Sequence, residues 1–121
     1  MPKKIMVVDD EPDAVEVLSI RLSDNGYDVI KAYNGNEALR LARSERPDLI
    51  LMDILMPGLD GAKVAEMLKD MPETKNIPVI FVTCLFTKKE EKSEPVRGGT
   101  FFIAKPYDPS QLLNVIREYT R

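Results

Sequence analysis

The chain has 121 residues, 44% hydrophobic and 31% charged, which fits one folded domain and leaves little room for a second. With 17 Lys+Arg against 20 Asp+Glu, its net charge of −3 argues against a broad phosphate-binding surface and hence against direct nucleic-acid binding. The absence of His removes imidazole bases, Ser-His and Cys-His pairs and the commonest zinc ligand, while the single Cys84 forms no internal disulfide and suits a reducing cytoplasm.

The first apolar run, Ile5-Met6-Val7-Val8, stops at Asp9. It is too short for a secretory core or a membrane span, so no membrane partner is expected. A run without polar alternation reads as a strand covered on both faces. Val15, Leu18 and Leu22 then recur at helical spacing, and Asn25-Gly26 supplies a stop. Tyr27 to Lys31 mixes charge into a β pattern and reads as an edge strand. Ala38, Leu41 and Ala42 mark a second helix, broken before Pro47. Leu49 to Met52 is a buried strand, and Val64, Ala65 and Leu68 mark a third helix ending near Met71-Pro72. Val79 to Val82 is the fourth strand. Within Thr87 to Gly99, Lys88 to Glu94 has helical character, but Pro95 disfavours a helical Glu94 and Gly98-Gly99 ends any continuation, so a short or irregular fourth helix is expected. Phe101 to Ala104 is the fifth strand. Asp108-Pro109 starts a last helix, with Leu112, Leu113, Ile116 and Tyr119 on one face.

Strand and helix thus alternate five times. With right-handed crossovers, this predicts a doubly wound α/β fold: a five-stranded parallel sheet with helices on both faces, in one domain over residues 1–121. Ligands in such folds bind at the carboxyl ends of the strands. Asp9-Asp10, Asp53, Thr83 and Lys105 all fall there. Three carboxylates converging at about 5 Å repel by roughly 3 kcal/mol per pair at an effective dielectric near 20. Either their pKa values rise or a cation sits among them. An oxygen-only donor set favours a hard ion such as Mg²⁺, which also accepts phosphoryl oxygens. A carboxylate can itself be the nucleophile, giving an acyl phosphate, with Thr83 and Lys105 as donors to the new oxygens.

Val7-Val8-Asp9-Asp10-Glu11, Asp53 followed by Met56-Pro57-Gly58 and Asp60-Gly61, Thr83 after an apolar strand, and Lys105-Pro106 occur in order. Together they resemble the receiver domain of two-component response regulators, over Lys4 to about Tyr119. The resemblance implies a flavodoxin-like strand order 2-1-3-4-5, with Asp53 as phosphoacceptor. It implies Mg²⁺ on the Asp10 and Asp53 side chains, on Asp9 directly or through a water, and on the backbone carbonyl of Leu55, and a Lys105 that pairs with phosphoryl oxygens and is placed by a cis Lys105-Pro106 peptide. Thr83 and Phe102 would change position together and repack the surface of the fourth helix, fifth strand and fifth helix. The implied partners are a sensor histidine kinase or histidine phosphotransferase, a downstream effector protein or domain, and a second copy in a phosphorylation-dependent dimer. The chain would be a cytoplasmic switch that assists only its own phosphorylation and dephosphorylation, with no effector domain in these 121 residues.

Each element also has a plainer explanation. Asp9-Asp10-Glu11 before Pro12 can be acidic capping of a helix, Phe102 static core, Cys84 simple packing, and Lys88 to Lys92 a solvated face. The resemblance also implies that Leu55 and Leu85, two residues past Asp53 and Thr83, flank the water that approaches the acyl phosphate; both are apolar and cannot orient it, so slow self-dephosphorylation is expected. A phosphorylation-independent interaction module on the same fold is the alternative function. A Mg²⁺-dependent aspartyl phosphatase would need Asp-x-Asp after the first strand, where this chain has Asp9-Asp10-Glu11.

Overall fold

The computed structural model describes residues 2–83 and 101–121. Its strands are β1 (Lys4–Val8), β2 (Asp28–Ala32), β3 (Leu49–Met52), β4 (Val79–Thr83) and β5 (Phe101–Ala104). Its described helices are α1 (Pro12–Asp24), α2 (Gly35–Glu45), α3 (Gly61–Lys69) and α4 (Pro109–Tyr119). The expected helix between Lys88 and Glu94, with Pro95 and Gly98-Gly99, lies outside the described residues, as do Cys84 and Leu85. α4 is therefore the fifth helix of the sequence reading. All strands are parallel, in the order β2-β1-β3-β4-β5, as expected. The predicted edge strand is displaced by one residue, to Asp28–Ala32, because Gly26 (φ 88°) and Tyr27 complete the turn out of α1.

The continuous apolar runs make sense once the period-two alternation of a strand is applied to a sheet covered twice. Met6, Val8, Ile50, Met52, Phe81 and Phe102 point to the layer of α2 and α3, where Ala38, Ala42, Val64 and Leu68 meet them. Ile5, Val7, Leu51, Ile80, Val82 and Ile103 point to the opposite layer, against Val15, Leu18 and Leu22 of α1 and Leu112 and Ile116 of α4. β2 has cover on fewer sides, and its Asp28 and Lys31 are exposed, as an edge strand requires.

Caps fix where each helix begins. The Asn34 side chain accepts from Glu37 N, and Glu37 Oε1 accepts from Tyr33 N, both at 2.8 Å, closing the start of α2. Asp60 accepts from Lys63 N at 2.9 Å to start α3, and Asp108 accepts from Ser110 N at 2.9 Å, with Pro109 in the first turn of α4. At the amino rim of the sheet, the Lys4 amide donates to Asp48 Oδ2 and the Asp48 amide to the Lys4 carbonyl, each at 2.8 Å, so β1 and β3 start in register. Lys3 on this rim meets Asn114, Arg117 and Thr120 of the C-terminal segment around a shallow depression.

Candidate functional site

β1 and β3 are neighbours in register, with Val8 opposite Met52. The next residue on each strand is an aspartate, so the sheet alone brings Asp9 and Asp53 side by side. The Asp53 amide donates to the Val8 carbonyl at 3.0 Å, and the Asp9 amide to the Ala32 carbonyl at 3.2 Å, which extends the ladder one step into the site. Asp9 and Asp53 are buried and Asp10 is exposed at the rim. One carboxylate oxygen from each of the three lies within 4.8 Å of the others.

Lys105 follows β5 directly, and its cis peptide to Pro106 is present. The ammonium donates to Asp9 Oδ2 at 2.9 Å and to Asp53 Oδ2 at 3.1 Å. Burial alone would lower its pKa, but the hydrogen bonds and charges of Asp9 and Asp53 outweigh that, so the ammonium is held above its ordinary value. The remaining oxygens are held locally: Asp9 Oδ1 accepts from Glu11 N, and Asp53 Oδ1 from Leu55 N, both at 3.1 Å. Three carboxylates against one ammonium leave an excess of two negative charges on an oxygen-only donor set. That chemistry fits a hard divalent cation such as Mg²⁺.

The plainer reading of the acidic run as helix capping finds no support at Glu11, which occupies the N-cap of α1 but makes no side-chain cap bond. Asp9, not Glu11, holds the amide there.

The loop after Asp53 explains the glycines of the Met56-Pro57-Gly58 and Asp60-Gly61 elements. Gly58 has φ 75°, where a side chain is strained. Gly61 starts α3 against the backbone of Asp53, and its amide donates to the Ile54 carbonyl at 2.9 Å. A Cβ there would run into the Asp53 carbonyl oxygen and Ile54 Cα. The close approach lets α3 press down on the segment that aims the Asp53 side chain.

Leu55 lies beside Asp53, with its side chain half exposed. Thr83 ends β4 in register with Ala104, one residue before Lys105; its side chain lies outside the described residues. Phe102 is buried on the α2–α3 side of β5, stacked on Phe81 with ring centroids 5.2 Å apart and planes at 26°. Sequence reasoning did not single out Arg21 or Tyr107, which line a cleft of about 760 Å³ running from Asp9, Asp53 and Lys105 between α1 and the β5–α4 loop. Arg21 falls three residues after Leu18 and four after Val17, so projecting α1 as a helix would have placed it on this wall. Burial raises the Tyr107 phenol above its usual pKa, against the opposing charges of Arg21 and Lys105.

The response regulator receiver domain family matches residues 5–117, and the chain belongs to that family. It is similar to the polar-differentiation response regulator DivK of Brucella anthropi, 40% identical over 119 residues that cover 98% of this chain and 97% of that protein. It is 38% identical over 121 residues to the response regulator PleD of Caulobacter vibrioides, covering 100% of this chain but only 27% of PleD. Among solved structures, the receiver domain of a sensor histidine kinase from Pseudomonas aeruginosa PAO1 superposes with a TM-score of 0.88 at 26% identity, covering 99% of this chain and 98% of that one. That structure has a magnesium ion coordinated in its active-site cleft. The fold and family expected from the sequence are therefore established. Among the described residues, no helix is long and apolar enough to cross a membrane.

Proposed function

We propose that this receiver domain is a phosphoryl-accepting switch in which Asp53 takes a phosphoryl group from a phosphohistidine on a partner kinase or phosphotransferase. The observation that carries this reading is Asp53 itself: a buried carboxylate at a strand end, 3.1 Å from the Lys105 ammonium and beside two more carboxylates. An Asp53 oxygen forms the new P–O bond as the donor's P–N bond breaks, and the bonding pair returns to the imidazole nitrogen. Asp9, Asp10, Asp53 and the Leu55 carbonyl would hold Mg²⁺, which supplies positive charge for the phosphoryl oxygens when bound. Lys105, already held at the Asp53 oxygen, turns to a phosphoryl oxygen once the acyl phosphate exists. The Leu55 amide fixes the other carboxylate oxygen and limits the orientations Asp53 can take.

Modification adds negative charge and acceptor oxygens at the rim. Thr83 moves towards them, Phe102 follows, and the surface that β5 and α4 share with the expected fourth helix repacks; an effector or a second copy reads that change. Because the change is a population shift, unmodified protein samples the active arrangement too. The setting of this reading is the cytoplasm, which the single Cys84 suits.

Incubation with Mg²⁺ and a small acyl or amido phosphate tests the reading. One phosphoryl group should be gained by intact mass, and Asp53→Asn should abolish it. Asp10→Asn should weaken Mg²⁺ binding at least tenfold with little change in stability, because Asp10 is exposed. Failure of the intact chain to gain mass at saturating donor overturns the proposal.

A further inference from the structure

A second surface lies at the other end of the helical layer. α3 begins against Asp53 and runs back to the amino rim, so its C-terminal turn ends far from the carboxylates, beside the last turns of α2. Between them is a groove of about 700 Å³ walled by Arg40, Arg43 and Arg46 on one side and Met67 and Met71 on the other. Three arginines face one lining carboxylate, Glu73, in a chain whose net charge is −3. Glu73 Oε1 accepts from Arg43 Nε at 3.0 Å, an exposed pair of the kind that gives way to a competing carboxylate at little cost. Arg40 and Arg46 have no ion pair among the described residues. The helix dipole accounts for Arg43 in the last turn of α2 and Arg46 at its C-cap, but not for Arg40 near its middle.

Met67 is one of the larger exposed apolar side chains, at 38%, and Met71 is partly buried against the core. Methionine adapts its shape to an incoming side chain, and Met and Arg are both residue types enriched at interfaces over ordinary surface. We propose that this α2–α3 groove docks an acidic segment of a partner protein, with the arginines pairing its carboxylates and the methionines taking a Leu- or Phe-type side chain. The surface is separate from the Asp53 rim and does not depend on its chemistry.

The probe is a twelve-residue peptide of Glu and Leu at helical spacing, titrated into isotopically labelled full chain and followed by amide chemical shifts. Shifts should centre on Leu39, Arg40, Arg43, Ser44 and Met67. Binding should weaken with added salt, with Gln replacing Glu, and with Ser replacing Leu in the peptide. Arg40→Glu with Arg46→Glu should raise the Kd at least tenfold while phosphoryl uptake at Asp53 is unchanged. If that pair does not fold, Arg40→Gln with Arg46→Gln should give a loss of a few-fold. The proposal is overturned if millimolar peptide does not bind, if shifts centre on the Lys105 cleft, or if the charge-reversed chain binds equally well. Concentration-dependent self-association, lost in the charge-reversed chain, would assign the groove to a second copy and overturn it as well.

Discussion

Asp9 and Asp53 are held in the same way, each turning Oδ1 back onto the amide two residues ahead and presenting Oδ2 to Lys105. The repetition follows from register: two adjacent parallel strands end one residue before an aspartate, so both carboxylates meet the same local geometry. The two acids are aimed before any ion or donor arrives.

Lys105→Met removes the ammonium that bridges these two carboxylates. Its side chain is about a quarter exposed, at 26%, so the loss falls below that for a fully buried pair, at about 1–3 kcal/mol near neutral pH. Urea unfolding measures it. Without the competing ammonium, Mg²⁺ should stabilise the variant more than the parent.

Gly61→Ala drives a methyl into the Asp53 carbonyl, whereas Gly58→Ala meets open space but must hold φ 75°. The first should cost about 2–3 kcal/mol and also slow phosphoryl uptake, because the Asp53 backbone must shift. The second should cost about 1–2 kcal/mol with uptake nearly unchanged. Thermal unfolding and a mass-based uptake time course separate the two.

Leu55 stands beside Asp53 with nothing on its side chain to orient water. Phosphorylated protein, freed of donor, should keep its phosphoryl group for many minutes, and Leu55→Asn should shorten that several-fold by supplying a polar group. A lifetime of seconds in the parent would remove the idea.

Burial lifts the Tyr107 phenol above its ordinary pKa of 10.0, with Arg21 and Lys105 pulling the other way. The folded state thus holds that proton more tightly than the unfolded chain. The corresponding stability is complete below about pH 10 and is lost as pH rises through the folded value. Tyr107→Phe should flatten this alkaline decline, and Arg21→Gln should push the phenol higher still in an ultraviolet titration.

The sequence disclosed the fold because each buried strand is a continuous apolar run, and a run such as Leu49 to Met52 has few other uses. It was less clear where charge enters the pattern: Asp28 and Lys31 blur β2, and its start moved by one residue. The rim was legible as a set of residue types, since Asp9, Asp10, Asp53 and Lys105 each follow a strand within one or two residues. Their pairing was not. Whether Lys105 meets the acids or waits for a phosphoryl oxygen depends on side-chain geometry across 52 and 96 residues of chain, which no spacing encodes. The packing role of Gly61 was equally hidden, because a glycine needed for close approach is spelled like any turn glycine.

Lys3 and the residues around Arg117 and Thr120 share the amino rim, a strand's length from Asp53. A dye, bead or sensor surface attached at Lys3 or beside Thr120 therefore leaves the Asp53 cleft facing open solvent. Kinetics recorded on immobilised molecules should match those of molecules diffusing freely.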